Sequence, residues 1–318
     1  VVRGYWYPTD PEWFRFLRAQ GPLDEVNFWR PRARVFRALP AGAGAPLLFK
    51  LRGGDVVGGF GYFERYEELS ILEAWDAFGT LNGAPDLETL ARLIATNRGL
   101  DPGERRWEVR IGCIMLSNPV FFENADRVHR AGDWKVQGAQ AGSSFDLDAG
   151  DGARVWEECR LRAIQYEARR REARARVAEG PRPAGTIYER ESRPGQRIFK
   201  AALLAAYGGA CAVTHEHSLP VLDAAHIRPY AEEGPDHVSN GLLLRTDLHR
   251  LFDDGFVTVT PEYAFEVSQA LKERFDNGRT YYALQGALQG HRIRLPDRRE
   301  DWPDPEALEW HSCERFIA

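Results

Sequence analysis

A chain of 318 residues with 43% hydrophobic and 28% charged residues has room for two domains and an ordinary globular composition, which excludes collagen-like, disordered and small disulfide-framed classes. The formal charge of −5 is unevenly spread: Arg160 to Lys200 carries twelve basic and five acidic residues, a balance of +7 that leaves −12 for the remainder. A net acidic chain of this kind does not exclude a polyanionic partner, because attraction can be local.

The longest stretch of low charge, Ala201 to Val213, falls short of the roughly 20 apolar residues of a membrane span, so no membrane role is expected. The N-terminus lacks a basic-then-apolar leader pattern, and a cytoplasmic location is expected. Cys113, Cys159, Cys211 and Cys313 never form a C-x-x-C pair. Neither a disulfide framework nor a zinc ribbon is indicated, and reduced structural thiols are expected.

In chain order, residues 1–150 read as an α+β domain. Pro11 to Arg18 predicts a short helix opened by Thr9 or Asp10. Val26 to Ala38, Pro46 to Leu51 and Val56 to Phe63 predict strands, Ile71 to Asn82 a helix ended by Gly83, and Trp107 to Leu116 a later strand. Residues 151–194 are a bridge. Gly152 to Ala178 predicts one long helix with a second half that is polar all round, followed by the punctuated linker Gly180-Pro181-Arg182-Pro183-Ala184-Gly185.

Residues 195–318 form the C-terminal domain, and seven of the eight histidines lie beyond residue 210. Gly195 to Tyr207 predicts a helix, Leu219 to Arg228 a strand and Asn240 to Arg245 a second strand. A helix capped by Thr246 or Asp247 carries Leu248, His249, Leu251 and Phe252, and the strand Phe256 to Thr260 comes after it.

His226, Asn240 and His249 fall at the end of the first strand, the start of the second and on the helix. With the surrounding Ala-Ala-His226-Ile-Arg-Pro, Asn240-Gly-Leu-Leu-Leu and Asp247-Leu-His249-Arg-Leu-Phe-Asp253, this order resembles the ββα-metal motif of the HNH endonuclease family. The resemblance implies hydrolysis of DNA phosphodiesters with one divalent metal ion, Mg²⁺ or Mn²⁺. His226 would be the general base, Asn240 would hold its loop, and His249 would ligate the ion. Many members carry a metal-binding Asp or His just before the base, where this chain has Ala225. Asp223 is offered as the substitute ligand, against the alternative of a solvent-facing strand aspartate. Members with a structural zinc use two C-x-x-C pairs; Thr214 stands where a cysteine would follow Cys211, so no structural zinc is expected.

In the first half, Val26-Asn-Phe-Trp-Arg-Pro31, Phe49-Lys-Leu, Val57-Gly-Gly-Phe-Gly61 and Ala74-Trp-Asp-Ala-Phe78 resemble the N-terminal region of predicted restriction endonucleases that end in an HNH unit. That resemblance implies a PUA-like, β-barrel-containing reader that takes a modified, flipped base from double-stranded DNA, in a bacterial cell and at the nucleoid. Arg30, Arg32 and Arg34 alternate along a predicted strand and would track phosphates, although a solvated edge strand explains them nearly as well. Trp29, Trp75 and Trp134 are candidates for stacking a base, with Asn27 or Gln137 reading its edge; core packing is the alternative for each tryptophan. Arg169, Arg170 and Arg171 suit either a DNA-facing helix or a solvated spacer.

One motif copy cuts one strand, so double-strand breaks call for a homodimer or two molecules meeting on DNA. Two other readings remain open: a degenerate HNH scaffold acting as a DNA-binding adaptor, and a homing or repair-type nickase.

Overall fold

The computed structural model describes residues 3–33, 42–51, 56–100, 107–129, 142–179, 194–229, 234–275 and 278–317. The chain divides into two compact units, Val1–Ile198 and Phe199–Ala318.

The first unit is built on a mixed sheet of seven strands: β1 (Arg3–Thr9), β2 (Glu25–Arg30), β3 (Pro46–Leu51), β4 (Val56–Ser70), β5 (Arg110–Phe121), β6 (Val128–His129) and β7 (Ser143–Asp146). The order is β2-β5-β4-β3-β1-β7 with β6 also on β4, and every pairing is antiparallel except β1 with β3. Alternation along the strands sends side chains to two buried faces. Trp6 and its partner Leu48 join Val57, Phe60 and Val120 on one face, under Val155, Trp156 and Cys159 of the long helix α4 (Gly150–Glu179). The next pair, Tyr7 and Phe49, belongs with Phe28 and Phe121 to an aromatic cluster around Trp13 of α1 (Pro11–Ala19).

Because helices cover both faces, an open sheet buries its apolar residues without closing on itself. Among the described residues β2 and β7 stand as its two edges, so the expected barrel is not found there. The helix predicted over Ile71 to Asn82 divides into α2 (Ile71–Phe78), opened by a Ser70–Glu73 capping box, and a 3-10 turn, Gly79–Asn82, closed by left-handed Gly83. The helix α3 (Leu87–Arg98) was not anticipated, although Asp86 caps it in the ordinary way.

The second unit starts within α5 (Gln196–Tyr207), continues into the hairpin β8 (Leu222–His226) and β9 (Gly241–Arg245), and then forms α6 (Thr246–Asp253). A second hairpin, β10 (Val257–Val259) with β11 (Phe265–Val267), is followed by α7 (Ala270–Phe275), α8 (Gly278–Leu288) and α9 (Pro305–Glu314). Buried His311 of α9 ties this helix to α6: its ring stacks on Phe252 at 3.6 Å, Nε2 lies 3.0 Å from the Phe252 carbonyl, and Nδ1 lies 2.9 Å from the Thr258 hydroxyl. Burial pushes its pKa down to about 4, so the neutral ring donates at Nε2 and accepts at Nδ1.

Candidate active site

The β8–β9 pairing sets His226 opposite Gly241 and Asp223 opposite Leu244. Gly241 has a steric reason to be glycine: a Cβ there would stand 2.6 Å from the tip of the Phe199 ring. That ring lies flat against the His226 imidazole, with centroids 4.1 Å apart and planes 15° apart. Stacking fixes the plane of the imidazole, and Asp236 fixes its rotation, with Oδ1 2.8 Å from Nε2. When Nε2–H donates to that carboxylate, Nδ1 is left with the free lone pair.

Asn240 is 3% exposed. Its Oδ1 accepts the Arg228 N–H at 2.9 Å, and its Nδ2 donates to the carbonyls of Arg228 and Pro235, each at 3.0 Å. One side chain thus clamps the two ends of the loop that presents His226 and Asp236. Gly234 belongs to the same closure, since a Cβ there would meet the Arg228 carbonyl at 1.9 Å.

His249 lies on α6 between two carboxylates. Nδ1 is 3.5 Å from Asp223 Oδ2, and Nε2 is 3.4 Å from Asp253 Oδ2. The hydrogen bond from His249 holds the Asp223 carboxyl below its ordinary range, whereas burial pushes Asp253 up. Ala225 is fully buried, so the position where many HNH members place a ligand faces the core here. Among the described residues no group of three or more His, Cys, Asp or Glu is arranged to hold a metal ion. The smaller set of His249 and Asp223 still fits Mg²⁺ or Mn²⁺ chemically, because such ions keep several waters and need few protein ligands beside a substrate phosphate. The Cys211 thiol accepts the N–H groups of Thr214 at 3.5 Å and Arg245 at 3.3 Å.

The other candidates are scattered. Asn27 is fully buried, with Nδ2 on Asn82 Oδ1 at 2.8 Å and on Cys113 Sγ at 3.3 Å. Trp29 is buried and donates to the Asn82 carbonyl at 2.9 Å. Both are core residues and do not line an open pocket. Trp75 is half-buried on α2, while Trp134 and Gln137 lie outside the described residues. β2 stops at Arg30 because Pro31 cannot continue the ladder, so Arg30 and Arg32 do not alternate along one strand; Arg34 lies outside the described residues. Arg30 is itself partly desolvated beside Tyr7 and Tyr66. Arg169, Arg170 and Arg171 fall on α4, but their side chains lie outside the described residues.

Sequence reasoning missed Phe199, Asp236 and Asp253. Asp253 is four residues beyond His249, one helical turn, and was therefore recoverable from spacing. Asp236 and Phe199 are brought to His226 by a loop and by a separate helix, and no local period announces them.

The sequence profile of the HNH endonuclease family matches residues 211–260, the segment that holds His226, Asn240 and His249. Among solved structures, one titled "Modification dependent TagI restriction endonuclease" aligns at 24% identity and a TM-score of 0.27. The alignment covers 36% of this chain and 36% of that one, so the match spans about a third of the relative's length. No curated protein matches the chain.

Proposed function

We propose, from the HNH endonuclease domain at residues 211–260, that this protein is a metal-dependent DNA endonuclease of restriction type. In this reading residues 199–318 cut the strand and residues 1–198 select the substrate. The observation that carries it is the His226 environment: an imidazole stacked on Phe199, turned by Asp236 at 2.8 Å, on a loop that Asn240 clamps.

Hydrolysis of a phosphodiester needs a base for the attacking water, charge neutralisation at the phosphate and stabilisation of the leaving 3′ oxygen. His226 Nδ1 takes the proton from water as its oxygen bonds to phosphorus and the bond to the 3′ oxygen breaks. Asp236 holds the tautomer that makes this possible and stabilises the imidazolium that forms. His249 and Asp223 would hold a divalent ion, which when bound supplies positive charge to the phosphate and the departing oxygen. Asn240 keeps the base in register with that pair.

The first unit is proposed as a PUA-like reader of a modified base. Its sequence resemblance supports this, and its Asn27 and Trp29 contribute by shaping the core. A single HNH domain implies two molecules for a double-strand break. The test is incubation of plasmids that differ only in base modification with Mg²⁺ or Mn²⁺. Cutting confined to modified DNA supports the whole reading, equal cutting removes the reader, and no cutting of any plasmid removes the nuclease.

A further inference from the structure

We propose that Arg228 grips the phosphodiester being cut, with Trp310 as its platform; this rests on the endonuclease reading above. The main chain of Arg228 is fixed on both sides, its N–H and its carbonyl both bonded to the Asn240 side chain. The residue stands two positions beyond His226 on the same clamped loop.

Its guanidinium carbon lies 5.4 Å from the centroid of the Trp310 ring, within the range of a cation–π contact. Nε is buried without a hydrogen-bond partner, and among the described residues no acidic side chain pairs with this guanidinium. Among the described residues this partly desolvated cation has no anion, and a phosphate oxygen on its terminal nitrogens would offset the cost of holding it. The planar fork matches two non-bridging oxygens, a geometry an ammonium cannot copy.

A second cation strengthens the argument. The guanidinium carbon of Arg315 is 5.7 Å from the same ring. Arg315 also acts electrostatically on Asp253, which is itself within the field of His226 and His249. Trp310 in turn is fixed by its neighbour His311, which joins α9 to the helix that carries His249.

The experiment uses the full chain and a short DNA duplex. In a His226→Ala background, adding Arg228→Ala should lower the slope of log Kd against log salt concentration by about one, the signature of one lost phosphate contact. In the otherwise native protein, Arg228→Ala should cost on the order of a hundredfold in kcat/KM. Arg228→Lys, which keeps the stem and the charge, should restore the salt slope but not the cleavage. Trp310→Phe should retain most activity, and Trp310→Leu should fall toward the level of Arg228→Ala. An unchanged salt slope overturns the proposal, as does wild-type cleavage by Arg228→Lys. If the native protein cuts no DNA with either metal, the endonuclease reading fails, and the salt slope still decides whether Arg228 holds phosphate.

Discussion

At the scale of single residues, four side chains do different work: Asp223 and His226 on β8, Asp236 in the loop after it and His249 on α6. His226→Ala removes the base and should reduce cleavage by at least about a hundredfold, while DNA binding and the melting temperature change little. Equal loss of binding and cleavage would instead mark a structural histidine. Asp236→Asn keeps the shape but loses the carboxylate that fixes the tautomer of His226, and on the order of tenfold to a hundredfold in kcat should go with it. Asp223 has its carboxyl held low by His249, so it is ionised and ready for a cation at neutral pH. Asp223→Asn should therefore raise the metal concentration needed for half-maximal cleavage. Full activity of that variant at limiting metal would leave His249 without this partner.

At the scale of elements, α6 and β10 are tied to α9. His311 makes that link as a neutral ring, and its pKa of about 4 in the folded protein lies below the ordinary 6.5. Between those values the unfolded chain binds a proton that the folded chain refuses, so stability falls as pH drops through this window and is unaffected above it. The shift corresponds to a loss on the order of 3 kcal/mol at its lower end. Thermal melts at pH 7 and pH 5 should show the native protein losing more stability than His311→Gln; parallel losses would mean that another group governs the acid response. Gly241 makes a second link, because Gly241→Ala would displace Phe199 from under the imidazole.

Much of this layer was legible in the sequence. Helices α1, α4, α5 and α6 and strands β3, β8 and β9 follow from apolar period, capping residues and glycine stops. What was not legible depended on partners distant in the chain. β1 is paired on both sides, by parallel β3 and antiparallel β7, and neither pairing is written in its own seven residues. Trp29 and Asn27 read as a base pocket because aromatic and amide side chains suit one. The same chemistry also suits a buried hydrogen-bonded core, and Asn82, fifty-five residues away from Asn27, decides between them.

At the scale of the whole molecule, charge is divided as sharply as structure. The second half of α4 carries Arg169, Arg170, Arg171, Arg174 and Arg176, five of the twelve basic residues between Arg160 and Lys200. If that segment meets DNA, neutralising Arg169, Arg170 and Arg171 together should weaken binding alike across sequences and flatten its salt dependence, because phosphate contacts carry no base information. An unchanged slope would make the segment a spacer. Hydrolysis of DNA at the His226 site is decided by time courses of supercoiled plasmid, modified and unmodified, with native protein and His226→Ala in Mg²⁺ and in Mn²⁺. Nicked and then linear DNA should form with native protein only, the linear form rising cooperatively with protein concentration. Equal cutting by His226→Ala, or none by the native protein on any plasmid with either ion, would contradict it.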